Sequence, residues 1–194
     1  WAQPSEREIP MMSVVYSGYT IFFGSPCDYK KSDNFFRYAQ GQALIDGRQN
    51  GWMDLGLFKP EYAAKVDFLN KCGQYRIAAL KYLLYGQLIK PVTPAGNPVT
   101  FSDEGLGKVP SAEARLWRAE DGNLAVILVN YVDQETEFSY SLDPAEYGMQ
   151  SGNYKVRQIY PEGVNKIHKG KGRLERTENL QSVEIRLIEI SPIQ

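Results

Sequence analysis

The sequence predicts an α+β protein in which alternating strands and helices precede an antiparallel β-sandwich. The first observation behind this prediction is a long segment, residues 60–91, whose apolar residues recur at helical spacing. The second is the change of pattern that follows it, since residues 112–194 contain short segments of alternating polarity separated by turn residues. The long helix is therefore predicted to join two structural units.

The segment before the long helix has the order strand, helix, strand. Residues 11–16 are rich in β-branched and aromatic side chains and predict a strand, and a short apolar stretch follows at residues 20–23. Ser32 or Asp33 is predicted to cap a helix, after which the apolar run that ends before Asp46 predicts a second buried strand. With the long helix, this order is typical of two βα units in a parallel sheet.

Two βα units cannot bury both faces and both edges of a parallel sheet. We therefore expect residues 1–91 to be the end of a larger unit, completed by chain upstream or by self-association. The sequence begins at Trp1 without a methionine, so we expect either a removed leader or the tail of a longer chain.

The long helix has recognisable start and stop signals. Pro60 suits the first helical position, and Glu61 complements the positive end of the helix. Lys90-Pro91 is predicted to end it, because proline disfavours helical geometry in the preceding residue. Cys72 lies on the apolar stripe and is predicted to be a buried thiol.

The second half of the chain predicts a β-sandwich. Residues 92–111 are rich in glycine and proline and predict a linker or long surface loop. Beyond them, six or seven short strands in about 80 residues are typical of a sandwich. The clearest predicted strands are residues 114–119, 124–131, 135–142, 153–160, 172–176 and 182–190.

Composition excludes several classes of function. The net charge of −1 over 194 residues lacks the basic footprint of a nucleic-acid-binding protein. No apolar run approaches the length of a membrane span. Two cysteines and one histidine, His168, which lies on a predicted polar turn, supply no metal-ligand spacing. We therefore expect no metal, no cofactor, no nucleic-acid partner and no membrane span.

Three stretches of the chain carry a family resemblance. SVVYSGYTIFFGSP, FFRYAQGQALIDGRQNGWM and the helix ending YLLYGQLIKPV resemble the last two βα units of bacterial glycoside-hydrolase-like (β/α)8 barrels. ARLWRAEDGNLAVILVNY and the strands after it resemble the β-sandwich that closes such proteins. The resemblance implies a barrel end at residues 1–91, a linker at 92–111 and a carboxyl-terminal sandwich at 112–194. It also implies a secreted or periplasmic location.

Barrel geometry then selects candidate site residues, because active sites lie at the carboxyl ends of the strands. Under the resemblance these are Tyr16 and Tyr19 after the first strand, and Asp46, Arg48, Gln49 and Trp52 after the second. Aromatic faces suit sugar rings, and the Asp46 carboxylate is suited to accept hydrogen bonds from sugar hydroxyls. The alternative interpretation is that the tyrosines line the barrel wall, that Asp46 begins a routine turn and that Trp52 packs under the long helix.

A complete catalytic pair is not predicted. Glycoside hydrolysis needs two carboxylates about 5–10 Å apart, and only Asp46, or with less support Asp28, is a candidate for one of them. We therefore expect the parent protein to hydrolyse glycosidic bonds of oligo- or polysaccharides, and this piece to supply part of the sugar-binding wall and a structural cap without activity of its own. The alternative is a non-catalytic carbohydrate-binding or assembly sandwich that uses Trp117, Tyr131 and Tyr160, although packing of these residues in the strand core is the favoured interpretation.

Overall fold

A six-stranded antiparallel sheet lies at the centre of the fold, with helices on one face and a smaller sheet on the other. The computed structural model describes residues 10–149 and 153–193. The helices are α1 (Met11–Tyr16), α2 (Asp33–Ile45), α3 (Ala63–Ala78) and α4 (Leu80–Leu83), with 3-10 turns at Leu55–Phe58, Pro60–Tyr62 and Pro144–Tyr147. The strands are β1 (Gln87–Pro91), β2 (Thr100–Asp103), β3 (Gly107–Pro110), β4 (Ala112–Arg118), β5 (Leu124–Asn130), β6 (Thr136–Leu142), β7 (Asn153–Tyr160), β8 (Gly163–Lys171), β9 (Leu174–Leu180) and β10 (Ile185–Pro192).

The central sheet has the strand order β1-β4-β5-β10-β7-β8, while β6 pairs with β9 and β2 with β3. Every one of these pairs is antiparallel. Strand β5 is buried at every position, because helices cover one face of the central sheet and the β6–β9 pair covers the other. The mixed α+β class is confirmed, as are the antiparallel strands of the second half.

Alternation along the central strands divides the interior into two cores, since successive side chains point to opposite faces. Trp117, Ile127 and Leu187 belong to the core on the helical side. Their sequence neighbours Val126 and Ile188 belong to the core beneath the β6–β9 pair. The two cores share one sheet and therefore hold the layers together.

Helix α2 confirms the predicted cap. The Ser32 hydroxyl accepts a hydrogen bond from the Phe35 N–H at 3.0 Å. The apolar run predicted to be the second strand is instead the last turn of this helix, which continues to Ile45. Its side chains are buried against the sheet, so an apolar run that is typical of a buried strand here forms the buried face of a helix.

The prediction of a strand at residues 11–16 is wrong, because these residues form helix α1. The described residues contain a single parallel bridge, between Phe23 and Gln49. The Gln49 N–H donates to the Phe22 carbonyl at 2.6 Å, and the Cys27 N–H donates to the Trp52 carbonyl at 2.8 Å. Two short segments thus run side by side around α2, but the end of a barrel is not present among the described residues.

The predicted helix over residues 60–91 is shorter than expected. Pro60 begins a 3-10 turn, α3 ends at Ala78, and the last residues of the segment form edge strand β1. A β-carbon at Gly86 would lie 2.6 Å from the Tyr82 carbonyl oxygen and 2.7 Å from that of Arg118, so glycine permits the close approach at which the chain turns into β1. Pro91 is tolerated because β1 is an edge strand.

The sequence patterns did not predict two further elements. The stretch predicted to be a linker or loop contains the β2–β3 hairpin. His168 lies in strand β8 rather than on a turn, because cross-strand pairing with β7 compensates for a polar and glycine-rich sequence. Cys72 is fully buried, as predicted, and burial raises its pKa.

Candidate functional site

Large apolar side chains are exposed mainly on the first half of the chain. Among the described residues from Ala112 onward, Val164 alone belongs to this exposed class. An excess of exposed apolar side chains in one part of a chain indicates an interaction there, because soluble domains rarely keep much apolar surface in water. We call the set below the apolar surface. Its members are Met11, Met12, Val15, Tyr16, Tyr19, Ile21, Phe23, Trp52, Met53, Leu55 and Phe58.

Three predicted substrate-binding residues belong to this surface, and a fourth, Gln49, pairs with its member Phe23. Tyr16, Tyr19 and Trp52 are 46%, 88% and 74% exposed, and Gln49 is also exposed. The Tyr16 ring lies 6.5 Å from the ring of Phe22, whose carbonyl accepts the Gln49 N–H. The paired segments therefore bring Tyr16 and Gln49 into one neighbourhood, with Trp52 three residues further along the same segment. Their role in binding sugar stays a prediction.

Asp46 lies elsewhere, at the junction between helix α2 and the sheet. It is only 3% exposed. Its Oδ1 accepts a hydrogen bond from Arg115 Nε at 2.8 Å, and its Oδ2 accepts one from Arg48 Nη2 at 2.6 Å. Two guanidinium groups thus engage both carboxylate oxygens. This geometry favours a structural ion pair between layers over contact with a sugar, and nothing in it supports a catalytic role.

A buried hydrogen-bond network surrounds the Asp46–Arg115 pair. Gln42 accepts from Arg115 Nη2 at 3.1 Å and donates to the Tyr131 hydroxyl at 2.7 Å and to Glu113. Burial raises the pKa of Glu113, and the charge of Asp46 adds to the effect while Arg115 opposes it. Sequence reasoning missed this network. The only available signal was spacing. Glu113 and Arg115 lie four and two residues before the buried Trp117, so the three side chains point to the same face of β4.

A second buried carboxylate, Glu189, joins α4 to strand β10. It accepts hydrogen bonds from the Tyr82 hydroxyl at 2.7 Å and from Arg157, and Lys81 Nζ lies 2.8 Å away. Burial alone would raise the pKa of Glu189, but the donors Lys81, Tyr82 and Arg157 hold it below its ordinary value. The ionised form is therefore the one that the fold stabilises.

These opposite pKa shifts predict opposite effects of removing charge. Since the pKa of Glu189 is lower in the folded state, its contribution is present above the unfolded pKa and is lost as pH falls through the folded one. Glu189→Gln should lower the free energy of unfolding at neutral pH by about 1–3 kcal/mol and flatten its decline towards acid. Urea unfolding followed by circular dichroism across the acidic range measures both effects.

Glu113→Gln is the matched control on the same sheet. Because the pKa of Glu113 is raised, ionisation of this residue weakens the fold as pH rises above the unfolded value. Removing its charge should therefore cost less than about 1 kcal/mol at neutral pH, or stabilise the fold. Equal losses in the two variants would contradict the assigned directions.

Two of the three aromatic residues predicted as a platform on the sandwich are not at the surface, and the third, Tyr160, is half-buried. Trp117 and Tyr131 are fully buried. Trp117 Nε1 donates to the Ile45 carbonyl at 2.9 Å, and the Tyr131 ring packs 5.0 Å from that of Tyr38. Packing in the strand core is therefore the correct interpretation of both, and a glycan cannot reach them in this fold.

Neither a metal-binding cluster nor a membrane-spanning helix is found in the part of the chain that the structure describes. Within residues 10–149 and 153–193, no three histidine, cysteine, aspartate or glutamate side chains converge so as to hold a metal ion. In the same part of the chain, no helix is both long enough and apolar enough to cross a membrane.

The sequence comparisons relate the chain to glycoside hydrolases. No protein-family model matches the sequence. A protein of Monosiga brevicollis that is named as a candidate glycoside hydrolase is 26% identical over 164 residues. The match covers 70% of this chain but only 14% of that protein, so the chain spans about one seventh of its relative. This similarity supports a glycoside hydrolase-like relationship, while bacterial origin stays a prediction.

The chain is also similar to solved glycosidase structures, at low identity. A GH27 β-L-arabinopyranosidase from Geobacillus stearothermophilus, in complex with arabinose, is 13% identical with a TM-score of 0.48, over 84% of this chain and 31% of the enzyme. The α-galactosidase I of Mortierella vinacea is 8% identical with a TM-score of 0.46, over 83% and 36%. An α-galactosidase of Saccharomyces cerevisiae with raffinose is 12% identical with a TM-score of 0.46, over 84% and 44%.

Proposed function

We propose that the chain is the carboxyl-terminal part of a longer glycoside hydrolase, in which residues 1–91 complete a (β/α)8 barrel and residues 112–194 form a sandwich packed against it. The observation that carries the proposal is the apolar surface, which holds eleven of the sixteen exposed large apolar side chains among the described residues. Upstream barrel strands and helices would cover its other members, while Tyr16, Tyr19 and Trp52 would stay open to the sugar. The small fraction of the Monosiga relative that the chain spans supports a longer parent protein.

The parallel bridge adds a second line of support. Phe23 and Gln49 lie on either side of α2 and pair in parallel, which is the arrangement of a βα unit followed by its next strand. Alone, these two segments are too short to form a sheet. Under the proposal, barrel strands from the upstream chain extend the pairing and give the segments their full length.

The role proposed for each residue follows from whether its side chain is exposed or buried. Tyr16, Tyr19, Gln49 and Trp52 form part of the sugar-binding wall, because they are exposed beside the parallel bridge. Asp46 anchors the sandwich through Arg115, and the catalytic carboxylates lie upstream. The substrate is a glycosidic bond of an oligo- or polysaccharide, the isolated chain is inactive, and the parent protein is exported from the cytoplasm.

The test compares the natural polypeptide, whose length is measured first in its source cells, with the 194-residue chain on a panel of aryl glycosides. We expect the natural protein to be longer and active, and the shorter chain to be silent. In the natural protein, Trp52→Ala should raise KM by about 3- to 10-fold, because it removes an aromatic contact with the sugar. Ile77→Ala is the control, since Ile77 is an equally exposed apolar residue that lies outside the apolar surface and has no predicted sugar contact.

Two outcomes would overturn the proposal. One is hydrolysis by the 194-residue chain that Asp46→Asn abolishes, which would place catalysis in this piece. The other is a natural product of 194 residues, which would require a second copy of the chain to cover the apolar surface. Sedimentation of such a product would then show a dimer.

A further inference from the structure

A basic groove lies on the helical side of the central sheet, at the end of strands β10, β7 and β8. Cross-strand register places Ser191 opposite Lys155 and Lys155 opposite Lys169, so the three form one row. The row faces the helical side, since Glu189, two residues before Ser191, contacts Tyr82 of α4. With the turn at residues 121–123, it lines an open groove of about 560 Å³.

The two lysines of the row repel each other. Like charges directly opposite on adjacent strands destabilise a sheet. Among the residues that the structure describes, no ion pair joins Lys155 or Lys169 to an acidic side chain. The carboxylate in the groove belongs to Asp121, and it is engaged by Lys81 at 3.1 Å and by Asn123. The positive charge of the row is therefore uncompensated.

Two buried hydrogen-bonding atoms lie beside these charges without partners. Ser191 is 4% exposed, yet its hydroxyl makes no hydrogen bond within the described part of the protein. Arg157 also lines the groove, and its Nε is buried and unpaired although another nitrogen of its guanidinium donates to Glu189. A buried polar group without a partner is costly, so such groups commonly mark the place of a ligand atom.

We propose that the basic groove is a binding site for an oxyanion, the chemistry shared by carboxylate, sulfate and phosphate groups. Lys155 and Lys169 supply the charge, and the Ser191 hydroxyl and Arg157 Nε donate hydrogen bonds to its oxygens. Bound there, the anion relieves the repulsion between the lysines. The site does not depend on the glycosidase proposal, because it is built entirely from the central sheet and one of its turns.

Calorimetric titration of the 194-residue chain tests the site, with inorganic sulfate, inorganic phosphate, trigalacturonate and a neutral trisaccharide at one ionic strength. We expect the oxyanions to bind and the neutral sugar not to bind. The double variant Lys155→Gln/Lys169→Gln should raise the dissociation constant about tenfold or more, because charge-assisted hydrogen bonds are lost. Lys59→Gln/Lys108→Gln, at two exposed lysines outside the groove, is the control and should bind as the original chain does.

Ser191→Ala separates binding from folding. It should weaken oxyanion binding several-fold without lowering the midpoint of thermal unfolding, since the hydroxyl has no partner to lose. Equal binding of the free ions and trigalacturonate identifies a free anion as the ligand, whereas much tighter trigalacturonate binding identifies an acidic glycan; either supports the site. Absence of oxyanion binding, an equal loss in the control pair, or a marked destabilisation by Ser191→Ala would overturn it.

Discussion

Replacing Arg115 with methionine should lower the free energy of unfolding by about 3–5 kcal/mol, because the buried Asp46 carboxylate loses its buried partner and keeps only the partly exposed Arg48. Arg115 and Asp46 are both almost completely buried, and their atoms meet at 2.8 Å. Arg115 also donates to Gln42, so the change breaks the network at a second point. Urea unfolding followed by circular dichroism measures the loss.

Arg118→Met is the matched control on the same strand. Arg118 is exposed and bonds only with Gln87 among the described hydrogen bonds, so its replacement should change stability by no more than about 0.5 kcal/mol. The double variant Asp46→Asn/Arg115→Met should recover part of the loss, since the buried side chain at position 46 then carries no charge. Indistinguishable effects of Arg115→Met and Arg118→Met would mean that the pair does not hold α2 to the sheet.

Trp117→Ala should also be severely destabilising, by about 3–5 kcal/mol, because it opens a large cavity in the core on the helical side. The Trp117 ring is fully buried, and its indole N–H is bound to the Ile45 carbonyl. A β-carbon at Gly47 would lie 2.5 Å from this ring, and Gly47 has a φ of +70°, which explains why glycine follows Asp46. Thermal and urea unfolding measure the loss.

Trp52→Ala provides the comparison, since Trp52 is a tryptophan on the apolar surface. Because most of its side chain is already in water, its replacement should change stability by no more than about 0.5 kcal/mol. The carbohydrate-binding sandwich predicts a different result for Trp117→Ala. In that case the variant would keep its stability but lose its affinity for glycans. That outcome would contradict the core position of Trp117.

Where local pattern and tertiary environment agree, the sequence predicted the structure well. Strand β5 combines β-branched residues, flanking turns and burial on both faces, so its position was predicted to within one residue. Helix α2 has a serine cap whose hydrogen bond lies within its own first turn. The candidate residues Tyr16, Tyr19, Gln49 and Trp52 were selected through the family resemblance and are exposed, although their function stays a prediction.

The misplaced elements have a common physical cause. Leu88 is fully buried whether residues 87–91 continue a helix or form a strand, so its hydrophobicity does not distinguish the two. What decides is pairing with β4, where Leu88 lies opposite Trp117. Strand β8 has no apolar pattern of its own and is held by its register with β7.

By itself, the sequence determined the α+β class, the antiparallel strands of the second half and the burial of Cys72. The tertiary structure alone decided which face each polar residue occupies and what it meets. Asp46 and Arg115 are 69 positions apart, and Ser191, Lys155 and Lys169 form a row only through the register of three strands. Side-chain patterns act over a few residues, whereas ion pairs and binding grooves depend on which distant segments the fold places side by side.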